Sequence, residues 1–224
     1  DPERFQFYAE AQAGSVTIDG VVDVRGSDTP VPGKVIIRAT NGATETSQGR
    51  IIADDIIVIG EGNFIFDKSN EIFDAHGGRA GFITADVTGN LLFHNDLDLT
   101  VTRNSFELAA ERNPDASAQA PIVVNINAFK VRTMADGSAG NLTMTTSNAN
   151  LGQTGSAPII VDTLTTIDVG TGNVTWNYGD ELGDLLNDNN WNRLTVINAA
   201  NASFVDEDSI NIEDVNASNN SRFE

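Results

Sequence analysis

The chain has 224 residues and a formal net charge of -19, with 13 Lys and Arg against 32 Asp and Glu. This balance argues against nucleic acid and anionic lipid surfaces as partners, because phosphate binding requires clustered cations. The lack of Cys excludes disulfides and Cys-based zinc sites. No apolar run approaches the roughly 20 residues of a membrane span, so no membrane insertion is expected.

Short runs typical of strands dominate the chain, each about four to six residues long and ending at Gly, Asn or Asp. Helical periodicity is scarce, and only residues 105–111 and 180–186 could form a turn or two of helix. The pattern therefore predicts an all-β fold. In chain order, the clearest runs are Ser15–Asp19, Lys34–Arg38, Ile56–Ile59, Pro121–Ile126 and Leu194–Ile197.

A Gly-Asn-apolar-x-apolar motif recurs four times, starting at Gly62, Gly89, Gly140 and Gly172. Its spacing predicts stacked coils of about 25–32 residues. Gly can turn a corner with positive φ, and Asn can hydrogen-bond to its equivalent in the next coil. We predict a single right-handed parallel β-helix (β-solenoid), with an antiparallel β-sandwich as the alternative. The motif's apolar positions should face the core: Phe64, Phe66, Leu91, Phe93, Leu142, Met144, Val174 and Trp176.

Three segments follow from this pattern. Residues 34–208 are expected to form the β-helix, and residues 209–224 a polar C-terminal tail or linker. Residues 1–33 are expected to supply an N-terminal strand that caps the helix or contacts another subunit. Here Phe5, Phe7 and Tyr8 belong to an alternating strand that either pairs with its own first coil or joins the sheet of an adjacent copy.

Residues 51–101 and 166–204 resemble the repeats of filamentous-haemagglutinin-type adhesins, which are very large secreted proteins of Gram-negative bacteria. The likeness rests on phrases such as Gly89-Asn90-Leu91-Leu92-Phe93 and Gly172-Asn173-Val174-Thr175. It implies a right-handed parallel β-helix, export to the cell surface, and a role in adhesion, biofilm matrix or filament formation. The Asn-Pro-Asn motifs of that family's secretion domain are missing, so we expect a repeat or shaft region. Since the chain opens Asp1-Pro2-Glu3-Arg4, we expect it to be a processed or excised piece of a longer protein.

Common catalytic signatures are missing from the sequence, including a nucleophile elbow, a P-loop and a His-Glu-x-x-His site. His76 and His94 are expected on solvated turns. We therefore expect a secreted structural or adhesive protein without turnover. Its expected partners are copies of itself in an end-to-end filament, or adjacent repeats of a longer polypeptide, and host or environmental glycans and surfaces. The alternative is a β-helix polysaccharide lyase or glycosidase acting on acidic glycans. Its carboxylates recur at coil spacing, with Arg79 and Arg103 as nearby cations: Asp54, Asp55, Asp74, Asp96 and Asp98.

Two acidic clusters predict weak calcium binding, because calcium takes about six to eight oxygen ligands and clustered carboxylates supply them. Neither cluster fits the calcium-loop consensus, and no cofactor is expected to be required. The candidate ligands are Asp180, Glu181, Asp184, Asp206, Glu207 and Asp208.

Overall fold

The structure, a computed structural model, describes residues 6–25, 33–74, 79–108, 122–154, 157–177, 189–206 and 210–223. Within these ranges the chain forms strands and turns and no α-helix, which confirms the all-β prediction. No helix in the same ranges is long and apolar enough to cross a membrane.

Twenty strands make up the described part of the chain. They are β1 (Gln6–Ala11), β2 (Val16–Ile18), β3 (Val21–Asp23), β4 (Lys34–Ala39), β5 (Ala43–Glu45), β6 (Arg50–Ala53), β7 (Asp55–Glu61), β8 (Phe64–Asp74), β9 (Arg79–Thr88), β10 (Leu91–Asn95), β11 (Leu99–Val101), β12 (Ser105–Leu108), β13 (Ile122–Asn125), β14 (Phe129–Arg132), β15 (Leu142–Thr146), β16 (Leu151–Gln153), β17 (Ile159–Asp168), β18 (Asn173–Trp176), β19 (Asn190–Phe204) and β20 (Asn211–Phe223).

The strands form three ladders of parallel pairs. The first ladder runs β1-β4-β7-β9-β14-β17-β19. The second runs β2-β5-β8-β10-β15-β17-β19-β20. The third begins with β3-β6-β8. Strand β8 then pairs antiparallel with β9. From β9 the third ladder continues with parallel pairs, β9-β11-β16-β18-β19-β20. Because the long strands bend around corners and serve two ladders, the ladders join into one 18-stranded sheet around a common core.

Antiparallel pairing is confined to two places in the described residues. One is the short pairing of Phe73 with Ala80 and Asp74 with Arg79, and the other is the separate pair β12–β13. The antiparallel sandwich is therefore the wrong alternative. The expectation of a helical turn from residue 105 is also wrong for residues 105–108, which pair with β13. Residues 109–111 and 180–186 lie outside the described residues.

The predicted core residues are all buried. Phe64, Leu91 and Leu142 are register partners in the second ladder, and each is at most 1% exposed. The other five predicted positions are equally buried, so the prediction of an inward apolar face is confirmed. Burying one such side chain contributes about 1.5–3 kcal/mol to the free energy of unfolding. Each strand of the ladder that buries a side chain in this way adds a similar contribution.

The motif glycines make corners in two different ways. Gly62 and Gly89 have φ of 99° and 117°, which side chains with a Cβ rarely adopt. Gly140 and Gly172 are needed instead for close packing, because a Cβ there would clash with the backbone of Arg132 or Ala149. Only some of the motif glycines therefore adopt a positive φ.

Asn63 and Asn90 of the motif bond to each other as predicted, while Asn173 bonds to asparagines outside the motif. Asn90 Nδ2 donates to Asn63 Oδ1 at 2.8 Å, 27 residues earlier, and Asn201 Nδ2 donates to Asn173 Oδ1 at 2.7 Å, 28 residues earlier. Two other pairs of bonded asparagines are separated by fewer residues. The step from Asn150 to Asn173 is 23 residues, and that from Asn201 to Asn220 is 19. These two steps are shorter than the predicted length of 25–32 residues.

The predicted C-terminal tail needs correction. Residues 211–223 form β20, which pairs in parallel with β19 along its length. A polar strand is stable here because its asparagines extend the stacks, with Asn216 bonded to Asn198 and Asn220 bonded to Asn201 at 3.3 Å each. The polar composition of the segment reflects a solvated sheet strand.

A row of polar side chains occupies the inner corner between the second and third ladders. Asn70 and Asn95 are fully buried, and their amide oxygens accept the backbone N–H of Ile51 and Ile72 at 2.7 Å. Glu45 begins this row at 7% exposure, and its Oε2 accepts from Asn70 Nδ2 at 3.2 Å. Glu45 Oε1 is buried and has no hydrogen-bond partner within the described ranges. Burial raises the pKa of Glu45, and the bonds from Asn70 and Lys68 offset only part of that effect.

Replacing Glu45 with Gln should stabilise the protein at neutral pH. Because burial raises the pKa of Glu45 in the folded state, the contribution of Glu45 to stability is most favourable at low pH and is lost as pH rises through that pKa. A neutral amide removes this loss, so we expect Glu45→Gln to gain roughly 1 kcal/mol, or about 2–4 °C in Tm, at pH 7 and little at pH 4.

The control is Glu213→Gln, which changes an exposed carboxylate that pairs with Arg193. It should leave Tm nearly unchanged at both pH values. A Glu45→Gln variant that is less stable than wild type at pH 7 would show that the charge of Glu45 is favourable.

Candidate functional site

An open groove of about 630 Å³ crosses the outer surface of the second ladder. It extends from Val21 over the turn between β5 and β6 and the bend in β8 to the outer faces of β10 and β15. Side chains alternate along a strand, so Leu92 and His94 face outward between the buried Leu91, Phe93 and Asn95. Parallel register then places Thr143 beside Leu92 and Thr145 beside His94.

The lining of the groove mixes polar and apolar groups, and Val21 and Leu92 supply apolar surface. Its cations are held by carboxylates: Lys68 Nζ lies 2.6 Å from Asp67 Oδ1, and Arg50 pairs with Glu71. The groove is therefore close to electrically neutral on a chain that carries a charge of -19. Hydroxyl and amide groups complete the polar lining: Ser47, Gln48, Ser69, Thr143 and Thr145.

His94 is the centre of a hydrogen-bonded cluster at this groove. Its Nδ1 lies 2.8 Å from Thr145 Oγ1, and its Nε2 lies 3.0 Å from Asp96 Oδ1. Because an ionised carboxylate only accepts, Nε2 carries a proton, and in a neutral imidazole Nδ1 then accepts from the hydroxyl of Thr145. The side chain of His94 is 23% exposed, and the residue lies in β10, which corrects the expectation of a solvated turn. His76 lies outside the described residues.

Ser147 joins the cluster, but not as the nucleophile of a Ser-His-Asp triad. Its Oγ donates to Asp96 Oδ1 at 2.8 Å and lies 3.3 Å from His94 Nε2. A triad requires the hydroxyl and the carboxylate on opposite nitrogens of the imidazole, whereas Ser147 and Asp96 share one. Burial by itself would raise the pKa of Asp96, but the hydrogen bonds from Ser147 and His94 outweigh it and lower the pKa.

The carboxylates of the predicted row have separate structural roles. Asp54 is 2% exposed, and its Oδ2 accepts the backbone N–H of Gly33 at 2.5 Å. Asp55 lies 3.6 Å from Lys34 Nζ, and burial raises its pKa despite that cation. Asp98 accepts the backbone N–H of Asn150 at 2.7 Å.

Of this row, Asp74 is near enough to Asp55 to raise its pKa, while Asp96 belongs to the cluster around His94. The expected single face of carboxylates is thus divided between two corners of the sheet. Arg103, expected beside them, is exposed, and Arg79 begins β9.

Of the predicted calcium ligands, only Asp206 lies in the described residues. Its Oδ2 accepts the backbone N–H of Trp191 at 2.9 Å. The described ranges contain no group of three or more His, Asp or Glu residues placed to hold a metal ion. The other predicted ligands fall outside these ranges: Asp180, Glu181, Asp184, Glu207 and Asp208.

The predicted self-association residues lie at the first strand of the sheet. Phe7 is partly buried against the main core, and Tyr8 packs on a second apolar cluster that includes Ile36 and Ile57. β1 pairs with β4 of its own chain, from Gln6 with Lys34 to Ala11 with Ala39. Within the described residues, β1 pairs with no second strand. Phe5 lies outside the described residues.

The groove is a feature that the inward positions of the repeated motif do not predict. Its lining comes from turns and from the outward positions of the motif, such as Thr143 and Thr145. The alternation Leu142-Thr143-Met144-Thr145 was the available signal, since every second residue of such a strand faces outward.

Comparison with protein-family models, with curated proteins and with solved structures found no match to this chain.

Replacing Asp96 with Asn should destabilise the protein at neutral pH. A pKa lowered in the folded state gives stability that is present above the unfolded pKa and is lost as pH falls through the folded pKa. We expect Asp96→Asn to lower the free energy of unfolding by about 1 kcal/mol at pH 7 and by less at pH 3. Urea unfolding at the two pH values measures this difference.

The matched control is Asp214→Asn, at an exposed position of β20. It should change stability by no more than about 0.5 kcal/mol. An equal loss for Asp96→Asn at both pH values would contradict a role for the ionised carboxylate.

Proposed function

We propose that the chain winds as a right-handed parallel β-helix and serves outside the cell as a structural or adhesive protein. In this role it is an adhesin shaft, a matrix component or a filament subunit that acts by binding and self-association, without turnover. The resemblance to filamentous-haemagglutinin-type repeats supports the same role by analogy.

The register of the ladders supports the winding. Val16 pairs with Ala43, Ala43 with Phe64, and Phe64 with Leu91, so each partner lies one circuit further along the chain. The consecutive strands β4, β5 and β6 each belong to a different ladder. A simple closed barrel of hairpins would pair consecutive strands with each other, whereas a wound chain visits three ladders in turn and then repeats them.

The open edges at the two ends are the observation that carries the proposed self-association. In the part of the chain that the structure describes, β1, β2 and β3 each pair on one side only, and β20 pairs only with β19. Ile212 is 40% exposed, while its register partner Leu194 is fully buried. An uncovered parallel edge with exposed apolar residues is a template for further strands.

The two ends differ, so contact between them is head-to-tail. The β20 edge of one copy would meet the edge of β1–β3 in the next, and such heterologous contacts form open filaments unless a rotation closes them. Phe223 marks the C-terminal end of this stack, lying parallel to the ring of Phe204 at a centroid distance of 5.7 Å. An added copy would cover it.

Binding without turnover agrees with the groove chemistry. Glycosidases use two carboxylates that flank the scissile bond, and Asp67 is the one carboxylate among the described lining residues. Arg50 and Lys68 are already paired with acids, which leaves little free positive charge for an acidic glycan.

Replacing Ile212 with Lys should weaken self-association. The substitution puts a charge on the apolar edge of β20, where a neighbouring copy would have to bury it. Sedimentation velocity over a range of concentrations should show assembly of the wild-type chain and a shift of the Ile212→Lys variant towards monomer. The midpoint concentration should rise at least about tenfold, the equivalent of one lost apolar contact.

The matched control is Ile197→Lys, which changes a residue of similar exposure, 46%, on the wall of β19. It should assemble like wild type. Deleting residues 1–13 is a weaker test, because removal of β1 exposes the edge of β4. A wild-type chain that stays monomeric at every concentration would contradict the proposed assembly.

We propose that calcium binds weakly at Asp206 and the neighbouring predicted carboxylates. Such binding should raise the Tm modestly. Ligand binding to the folded state stabilises it by RT ln(1 + [L]/Kd), which is about 1 kcal/mol when free calcium is several times Kd. Calorimetry in millimolar calcium and in chelator measures the shift, with Asp206→Asn as the variant and Asp214→Asn as the control. An unchanged Tm would count against calcium binding.

A further inference from the structure

We propose that the groove on the second ladder binds an uncharged linear oligosaccharide that lies along the axis of the stacked strands. This inference deepens the proposed adhesive function by naming a ligand class and a site. It rests on that function only in the sense that adhesion requires a ligand, since the groove meets the open edges only at Val21 of β3.

The lining supplies both partners that a sugar hydroxyl requires. Each sugar hydroxyl donates one hydrogen bond and accepts others, as the hydroxyls of Thr143 and Ser69 also do. The pair Lys68–Asp67 places a donor and an acceptor side by side, 2.6 Å apart. A surface with only one kind of group would leave some of the ligand's hydroxyls without partners.

The spacing of the lining favours an extended ligand. Thr143 and Leu92 are register partners, as are Thr145 and His94, so each pair is separated by one strand spacing of about 4.8 Å. A ligand crossing the strands therefore meets a new side chain on each one. Leu92 adds an apolar surface between these polar groups, against which the C–H face of a sugar ring can pack.

The net charge of the chain favours an uncharged ligand. The whole chain carries a formal net charge of -19 and repels polyanions at long range. The groove cannot offset this repulsion, because its lysine and arginine are neutralised by Asp67 and Glu71. A volume of about 630 Å³ falls in the range of ordinary small-molecule sites, roughly 300–1,000 Å³, so several sugar units fit.

The test is isothermal titration calorimetry of the full chain, at concentrations where sedimentation shows monomer. The probes are cellohexaose, maltohexaose, mannohexaose and xylohexaose, with hexagalacturonate as the acidic comparison. We expect at least one neutral probe to bind with a Kd below about 1 mM and hexagalacturonate to bind more weakly than that probe.

The variant Thr143→Val/Thr145→Val removes two groove hydroxyls at nearly constant volume, and binding should weaken about tenfold or more. The matched control is Thr166→Val/Thr195→Val. Thr166 and Thr195 continue the row of Thr143 in the same ladder and lie outside the groove lining. Circular dichroism and Tm establish that both variants fold, and the control should bind like wild type.

Three results would overturn the inference: no neutral probe binds, both variants bind equally, or hexagalacturonate binds more tightly than every neutral probe. Sedimentation tests the proposed assembly separately. Assembly without sugar binding would overturn this inference alone, whereas sugar binding by a strictly monomeric chain would support the groove and overturn the filament.

Discussion

Parallel backbone pairing between strands that lie far apart in the sequence is the interaction on which the rest of this structure depends. It places like residues on top of one another, so apolar partners such as Phe64, Leu91 and Leu142 form a continuous core. It also aligns the asparagines, whose amides then hydrogen-bond from strand to strand. The same pairing leaves an open edge wherever the stack ends, and the proposed assembly follows from those edges.

The repeated motif made the core predictable, because it specifies a glycine corner and alternating inward residues within five positions. Features set by a strand's neighbours were harder to predict. Ser105–Leu108 has a composition that suits a helical turn, yet it pairs with β13. Residues 211–223 look like a polar linker, yet stacking on β19 makes them a strand. In both cases tertiary pairing overrode local composition.

The candidate site could not be predicted from the sequence, because its residues come together only in the folded chain. The groove combines the turn near Gln48, the bend near Lys68 and the outer faces of β10 and β15, which lie far apart in sequence. The carboxylates spaced at coil length were the visible signal, but equal spacing does not place residues on one face when coil lengths differ. Asp54 and Asp96 accordingly stand at different corners, each with its own hydrogen-bond partners.

Distances between spin labels test the winding most directly, and labelling is clean because the chain has no native Cys. Thr17 and Thr195 lie in one ladder, six strand spacings apart through Thr44, Ile65, Leu92, Thr143 and Thr166. Labels at cysteines introduced at Thr17 and Thr195 should be roughly 29 Å apart, and labels at Thr44 and Thr195 about 5 Å closer. Two equal distances, or a separation that does not grow with each strand, would contradict a wound parallel chain.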